Sequence, residues 1–497
     1  MTTVVLSALI LSFVAYLFAG YFMGRRTKTL GDLFPLVAGK EAQVKSHREF
    51  SASTVAATVS LATLIIAYFE LAPYFGFWWL MWTVVTTTAG IFVVRLFAKK
   101  IWAKFSHYDY RPTLHSFLGK EFGSSTLTRI AAICTCIGFL GVLATELTVG
   151  SKFLGGLIKG IPQWLSVVTL SAVALVYTAW AGYRIVIVSD RWQMRAIFLL
   201  IIVLGGFYVY YIGAVEHFEF SAKMPENILN LKWRDGLPAF LIGLFLINTP
   251  YYIADMAVYQ RVVASQNSDT VFKGLWRSVL NSGLTWTCLL LLAVFVFAII
   301  TPVEGENTLI TLLNFIGTSF GGYGKVILFL AVIGLFSAML STASTQLIAV
   351  SHALYEDIIA KYRKGTLQER ADSRKELNFS RAVLILSAIL SVAVVEFLSY
   401  LGFSISDLIF SIYGAQLSLT PLVLVALFSQ SDRIKKISKW ATAAVAIGFI
   451  SGWTAAIIGK VIGNGDLVFL SPAFSISIST LILGIGLLTT RNKKLLA

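Results

Sequence analysis

Charged residues are scarce in this chain. Only 13% of its 497 residues are Asp, Glu, Lys or Arg, whereas 57% are hydrophobic and the mean hydropathy is +0.79. Because a soluble globular protein carries roughly a quarter charged residues, the composition excludes an ordinary soluble domain. The apolar residues come in runs near the ~20 residues that a helix needs to cross a bilayer. The sequence therefore predicts an all-α polytopic membrane protein with about 13 transmembrane helices.

Reactive and metal-binding side chains are also few. The three cysteines, Cys134, Cys136 and Cys288, all lie inside apolar runs, and the five histidines are scattered. We therefore expect no disulfide and no His- or Cys-based metal site. The sequence has no Gly-rich phosphate loop before a helix and no Gly-x-Ser-x-Gly turn. Neither catalysis nor nucleotide-driven transport has residues to support it, and we expect no cofactor.

The net charge of +15 indicates membrane orientation. With about 13 spans, most of the 40 lysines and arginines fall in loops and span ends on one side, which is the positive-inside pattern of the cytoplasmic face. This predicts a plasma (inner) membrane protein with its amino terminus outside and its basic tail, Arg491 to Lys494, in the cytoplasm. A nucleic-acid partner is not expected. The first run, Val4 to Met23, has no charged leader or cleavage site and is predicted to be a retained span.

A hydroxyl-rich stretch from Phe336 to Ser351 lies within a long apolar run. On a helix, Ala338, Ser341 and Thr342 share one face, and Ser341 shares a neighbouring face with Ser344 and Thr345. Such uncharged oxygens suit a weakly held cation such as Na⁺. Small and hydroxyl residues also line ordinary contacts between membrane helices, so the stretch by itself leaves both interpretations open.

Two spans contain interruptions. The second span has Glu70 and Pro73 near its end, and the seventh has Pro250 in its middle. They lie five spans apart, which fits a core of two inverted five-helix repeats with broken first and sixth core helices. The predicted division is 1–49 (first helix and linker), 50–216 and 217–430 (the two repeats), and 431–497 (two peripheral helices and tail).

Several polar residues in these spans have alternative roles. Glu70 faces either a cavity or the outer interface, since a carboxylate inside a membrane needs a partner. Asp190 could form an inner ion pair with Arg184 or Arg191. The segment around Asn248 and Tyr251 is either a break that offers hydrogen bonds to a solute or a simple kink.

Four segments resemble the sodium/solute symporter family, and the resemblance covers most of the chain. They are Tyr177 to Gly182 followed by Ser189, Asp190 and Gln193; Asp255 to Arg261; Ser337 to Thr342 followed by Gln346, Ser351, Glu356 and Asp357; and Tyr413 to Pro421. The third segment is especially similar to the proline-permease branch. The resemblance implies a leucine-transporter-type fold and binding sites for sodium and solute.

The resemblance assigns residues to three sites. It implies a main sodium site from the backbone carbonyls of Ala62 and Ile65 at a break in the second span, the carbonyl of Ala338, and the hydroxyls of Ser341 and Thr342. A register shift of one would replace the first two by Thr63 and Ile66. It implies a second sodium site at Asp190, Ser341, Ser344 and Thr345. The expected solute-binding residues are Thr63, Ile66, Glu146, Asn248, Tyr251, Tyr413 and Gln416.

The expected function is a sodium-coupled secondary active symporter that imports a small polar organic solute, such as an amino acid or a related compound. Its partners would be the solute, Na⁺ as coupling ion and the lipid bilayer. Leu64 and Ile66 stand where the proline-permease branch has an acidic residue and a serine, which argues against proline. Glu70 and Glu146 would favour an amine-bearing solute. The alternatives are a proton-coupled transporter, with Glu146, Glu70 or Asp190 as carrier, and a solute sensor.

Overall fold

The computed structural model describes residues 1–36, 42–108, 111–214, 228–229, 233, 235–301, 307–400, 404–429 and 431–492. Ile65 and Ile66 are described by their backbone alone, so the expected contact of the Ile66 side chain with solute lies outside the described part. The last residues of the predicted cytoplasmic tail also lie outside it.

The described chain is built from helices. The first half contains α1 (Thr2–Gly24), α2 (Leu30–Leu33), α3 (His47–Thr58), α4 (Leu61–Thr63, continued by a π-helix Leu64–Glu70), α5 (Ala72–Ser106), α6 (Leu114–Phe122), α7 (Ser125–Leu157) and α8 (Gln163–Ala214). The second half contains α9 (Leu237–Asn248), α10 (Tyr251–Ala254), α11 (Met256–Val263), α12 (Ser268–Phe295), α13 (Thr308–Ser319), α14 (Gly321–Ala353, continued by a π-helix Leu354–Ile359), α15 (Leu367–Ala371), α16 (Arg374–Tyr400), α17 (Ile405–Gln416), α18 (Thr420–Phe428), α19 (Ser431–Lys435), α20 (Ser438–Val461), α21 (Gly465–Phe469) and α22 (Ser471–Asn492).

The helices give thirteen membrane spans in the described part of the chain. Eleven are long and apolar enough by themselves, and α3 with α4 and its π-helix forms a further, bent span. The 52-residue α8 counts as two spans because it folds back at Gly182, whose φ of 69° and ψ of −161° are not helical. The predicted fold class and number of spans are confirmed, and the chain is a multi-pass integral membrane protein.

The second span is broken close to Ala62, near which the family resemblance implies a break, and not at Glu70 and Pro73. Helix α3 ends at Thr58, and Val59 (φ −85°, ψ 82°) separates it from α4, which Ser60 caps by accepting a hydrogen bond from the Thr63 N–H. The prediction that Glu70 and Pro73 interrupt the span is wrong. Pro73 lies in the first turn of α5, where its missing N–H has no helical acceptor to lose.

The seventh span has the predicted break at Pro250 and a second one after it. Helix α9 ends at Asn248, and Pro250 precedes the single turn of α10. Asp255 is extended (φ −73°, ψ 110°) and starts α11. The two broken spans lie five spans apart, as expected of inverted repeats; the domain boundaries given above stay a prediction.

Helix α14 lies at the centre of the bundle. It packs against α8, α7 and α3, and every residue from Leu335 to Ala353 is buried. The hydroxyl-rich stretch therefore faces protein, not lipid. Large apolar side chains instead cover the outer surfaces of α1, α8 and α20, for example Phe18, Val209 and Ile450, as expected of surfaces that contact lipid.

Candidate functional site

A cavity of about 120 Å³ lies between the two broken spans. Four of the predicted solute-binding residues line it: Thr63, Asn248, Tyr251 and Tyr413. Other polar or aromatic lining residues were not among the predicted solute-binding residues; they include Thr58, Thr87, Asp255, Arg261, Trp286 and Gln346. Asp255 and Arg261 lay within a segment of the family resemblance, which was the only signal that could have pointed to them.

Hydrogen bonds hold the break of the seventh span against its neighbours. The Asn248 amide donates to the Thr86 hydroxyl at 3.1 Å, and the Thr249 hydroxyl donates to the Thr86 carbonyl at 2.9 Å. A Cβ atom at Gly90 would lie 2.1 Å from the Asn248 carbonyl oxygen, so this close approach requires glycine.

Two tyrosines meet in the cavity wall. The rings of Tyr251 and Tyr413 make an edge-to-face contact, with centroids 4.9 Å apart and an interplanar angle of 77°. This contact joins the broken seventh span to α17. Both helices belong to the second predicted repeat.

Glu146 has a different position from the one expected of a solute-binding residue. It is buried outside the cavity lining, and its carboxylate accepts a hydrogen bond from the Leu61 N–H at 3.2 Å. The break of the second span leaves the first N–H groups of α4 without helical acceptors, and Glu146 provides one. Glu146 instead lines a small adjoining pocket with Thr63 and Tyr413, and its contact with solute stays a prediction.

Gln416 also lies outside the cavity lining. Its side-chain amide donates to the Ile412 carbonyl at 3.3 Å, and it packs against Gly138 of α7. Glu70 is exposed and accepts a hydrogen bond from the Asn307 amide at 3.0 Å. Of the two roles left open for Glu70, this position fits the membrane interface.

The residues of the predicted main sodium site lie on two helices that are in contact. Ala338, Ser341 and Thr342 are buried on α14, which packs against both α3 and α4. Ala62 and Ile65, however, lie beyond the break, in the continuous helical segment from Leu61 to Glu70. Carbonyls inside a helix are used by its own hydrogen bonds, so a cation ligand is more readily supplied from the other side of the break.

The break frees backbone oxygens at the end of α3. The Ser60 N–H donates to Thr58, the Leu61 N–H to Glu146 and the Thr63 N–H to the Ser60 hydroxyl. Within the described chain the carbonyls of Ala56, Ala57 and Val59 therefore accept no backbone hydrogen bond, and Ala57 itself lines the cavity. Carbonyls of this kind are common ligands of sodium sites in broken membrane helices.

The packing of α3 and α14 brings these oxygens toward Ala338. The hydroxyls of Ser53 and Ser341 donate to the two oxygens of Asp190, at 2.5 and 2.6 Å. The second and ninth spans cross in opposite directions, since six spans, an even number, lie between them. Going from Ser53 to Ala56 along α3 and from Ser341 to Ala338 along α14 therefore moves one turn toward the same side of the membrane. Ala56 and Ala338 should accordingly lie near each other, as Ser53 and Ser341 do.

The predicted second sodium site forms a buried polar cluster. Asp190, Ser341, Ser344 and Thr345 are all at most 1% exposed. The suggested ion pair of Asp190 with Arg184 or Arg191 is wrong, because both arginines instead bind Glu49, at 2.8 and 3.3 Å. A different arginine, Arg261, reaches the cluster: its Nη2 lies 3.4 Å from the Thr345 hydroxyl.

The chemistry of these groups favours reversible binding over reaction. Among the described residues, no group of three His, Cys, Asp or Glu side chains is placed to hold a metal ion. The oxygens around Ala338 and Thr342 are carbonyls and hydroxyls, which suit an alkali cation that must be released again. The adjoining cavity offers amide, phenol and hydroxyl groups to a small polar molecule.

Three solved transporters have a similar fold, whereas no protein-family model and no curated protein matches the sequence. A Na⁺-coupled sialic acid symporter in a substrate-bound, outward-open state has a TM-score of 0.74, with 19% identity over 98% of both chains. Mhp1, a nucleobase-cation-symport-1 family transporter, was solved closed with bromovinylhydantoin bound; its TM-score is 0.57, with 14% identity over 91% of this chain and 95% of its own. A mutant manganese transporter from Eremococcus coleocola has a TM-score of 0.51, with 14% identity over 90% and 94%.

These similarities extend over nearly the whole chain at identities below 20%, so they concern the fold. The broken second and seventh spans and the central α14 agree with them. The protein has the leucine-transporter-type fold that Na⁺-coupled symporters share.

Proposed function

We propose that this protein is a sodium-coupled symporter that imports a small polar organic solute by alternating access. One observation carries the proposal: a polar cavity between two broken spans adjoins α14, whose hydroxyls are buried and which packs against α3, where the first break leaves backbone carbonyls free. This arrangement provides neighbouring places for an ion and a solute. One monovalent charge crossing a potential of 100 mV supplies about 2.3 kcal/mol, to which the sodium gradient adds.

The proposed main sodium site combines Ala338, Ser341 and Thr342 with carbonyls from the second span. The free oxygens of Ala56 and Val59 replace those of Ala62 and Ile65 in this proposal. Ser341 donates its proton to Asp190, which leaves the lone pairs of its oxygen available to a cation.

The proposed solute site is the cavity lined by Thr63, Asn248, Tyr251 and Tyr413. Hydrogen-bonding groups and aromatic faces alternate around it, which suits a polar molecule of about amino-acid size. The solutes of the similar transporters do not decide which molecule this chain carries.

Sodium would act by holding the broken second span against α14. An ion bound by both helices stabilises the state in which they are in contact. The size of this effect is the difference between the free energies of binding the ion in the two states. We propose that this state is outward-facing, with the amino terminus outside as the positive-inside pattern predicts.

The first test is thermal stabilisation of the purified protein by a solute library, with and without Na⁺. A ligand that binds the folded state raises the melting temperature by mass action, so the solute should stabilise the protein more strongly when sodium is present. Uptake of that solute into proteoliposomes should then require Na⁺ outside. Uptake that is indifferent to replacing sodium by choline contradicts sodium coupling.

Proton coupling is the second candidate because Asp190 is a fully buried carboxylate held by two hydroxyls. It predicts uptake that follows the pH gradient and survives removal of sodium. The same proteoliposomes distinguish the two mechanisms.

A further inference from the structure

The polar cluster around Asp190 already contains a cation of the protein itself. Arg261 is 3% exposed, and all three of its guanidinium nitrogens have acceptors. Its Nε donates to the Ser53 hydroxyl at 2.9 Å, Nη1 to the Ala257 carbonyl at 3.0 Å and Nη2 to the Thr345 hydroxyl at 3.4 Å. The guanidinium is therefore held in place by α3, α11 and α14 together.

A chain of hydrogen bonds connects this guanidinium to Asp190. Arg261 donates to the oxygen of Ser53, and the same hydroxyl donates its own proton to Asp190 at 2.5 Å. Ser53 has only one proton to give, so both partners fix its orientation. The positive charge and the carboxylate thus lie on opposite sides of one serine.

Two other acidic side chains lie near the cluster. Glu49 binds Arg184 and Arg191. Asp255 also faces the cavity, but its carboxylate accepts the Ala257 N–H at 2.8 Å and caps α11, where the helix dipole favours a negative charge. Arg261 also attracts the Asp255 carboxylate, but among the described residues it is the basic side chain that hydrogen bonds join to Asp190, through Ser53.

A second sodium ion would have to bind beside this guanidinium. Of the four ligands that the family resemblance implies, Thr345 already contacts Arg261, and the charge of Asp190 is already compensated. Like charges at close range repel strongly where water is excluded. The residues present do not fit a second cation while Arg261 is in place.

We propose that Arg261 takes the place of the second sodium ion, so that a single Na⁺ accompanies each solute molecule. This inference rests on the proposed sodium coupling at the main site. Removing the positive charge should uncover the second site, since Asp190, Ser341, Ser344 and Thr345 would then surround an uncompensated carboxylate next to the cavity.

The test counts the ²²Na⁺ ions bound per molecule of purified full-length protein at saturation. The expected counts are one for the wild type, two for Arg261→Gln and one for the double variant Arg261→Gln/Asp190→Asn. Arg261→Lys is the matched control: it keeps the charge with a different shape and should still bind one ion.

Several results would overturn the inference. Two ions in the wild type, reduced to one by Asp190→Asn, would place sodium at the cluster in the presence of Arg261. A count of one in a folded Arg261→Gln protein would show that the cluster holds no cation even without the guanidinium. If the Arg261 variants do not fold, the wild type and Asp190→Asn decide: one ion in both supports the inference.

The failure of the proposed function has a different signature. A wild-type protein that binds no sodium at all would end sodium coupling, and this inference with it. Two ions in the wild type would end only the inference.

Discussion

The hydroxyl of Ser341 lies between the proposed main sodium site and the Asp190 cluster. This hydroxyl donates to Asp190 at 2.6 Å. Ser341 also shares a helix face with Ala338, which belongs to the proposed main sodium site. Because a hydroxyl has one proton and two lone pairs, it can donate to the carboxylate and still offer an oxygen to an ion. A change at Ser341 would therefore affect both sites, so Thr342 is the cleaner position at which to test the main site.

We expect Thr342→Val to raise the sodium concentration required for half-maximal thermal stabilisation by roughly tenfold, which corresponds to about 1.4 kcal/mol. The change keeps the shape of the side chain and removes one proposed ligand. Thr480→Val is the matched control, because both hydroxyls donate to a carbonyl one turn earlier, Ala338 for Thr342 and Ile476 for Thr480, but Thr480 lies on the exposed face of α22. An unchanged sodium requirement in Thr342→Val would remove this residue from the site.

Glu146 provides a second prediction for a single residue. Glu146→Ala leaves the buried Leu61 N–H without its acceptor, which should lower the free energy of unfolding by about 1–3 kcal/mol. Glu146→Gln keeps a side-chain oxygen and should lose less. The comparison of thermal unfolding for the two variants checks this; equal melting temperatures for wild type and Glu146→Ala would show that the break of the second span does not depend on Glu146.

At the scale of helices, the breaks are stabilised by contacts from elsewhere in the chain. Glu146 of α7 supplies an acceptor at the start of α4, and Thr86 of α5 holds the end of α9. An interrupted helix exposes polar backbone that a membrane cannot solvate. These contacts allow backbone oxygens to face a cavity without unfolding the spans.

The turn inside α8 is the sharpest element-scale constraint. Gly182 has φ 69° and ψ −161°, a region open almost only to glycine, and an added Cβ would lie 2.6 Å from the Asp32 carbonyl oxygen. We expect Gly182→Ala to destabilise the protein by about 1–3 kcal/mol for the backbone alone, with the steric overlap adding to this. Thermal unfolding and the yield of monodisperse protein measure the effect.

Gly205→Ala is the control for that change. Gly205 lies in the same helix, and an added Cβ there meets nothing within 4 Å. Alanine is also the better helix former, so this variant should be at least as stable as the wild type. A Gly182→Ala protein as stable as Gly205→Ala would contradict the described turn.

At the scale of the whole molecule, the cavity extends from the break of the second span toward the end of the bundle at which α17 begins. Its lining includes Ser406 at the start of α17 and Thr54 of α3, which enters the membrane from the opposite side. Access to the cavity from one side at a time therefore requires rearrangement around the two broken spans. Sodium should favour one of the resulting states.

Cysteine accessibility tests this rearrangement. In a variant without the three native cysteines, we expect Na⁺ to increase labelling of Ser406→Cys by a membrane-impermeant thiol reagent and to decrease labelling of Thr54→Cys. The Thr342→Val change in each background should weaken both responses, since it removes a proposed sodium ligand. Changes of the same sign at both positions would indicate general loosening and not alternating access.

The sequence determined the class of this protein and much of its plan. The length and spacing of the apolar runs predicted thirteen spans, because a bilayer requires about 20 apolar residues for each crossing. Pro250 predicted the break in the seventh span from its missing N–H. The spacing of Ser341, Thr342, Ser344 and Thr345 placed them on neighbouring helix faces, and the tertiary structure buries all four.

The break of the second span was decided by tertiary structure, because no proline or glycine marks Val59 and Ser60; the acceptor that stabilises it comes from Glu146, 85 residues away. The charge balance of the Asp190 cluster was decided in the same way. Arg184 and Arg191 are near Asp190 in sequence but bind Glu49, while Arg261 reaches the cluster from a different helix. A pattern along the chain reveals which residues share a helix face, but which charges compensate each other depends on how those helices pack.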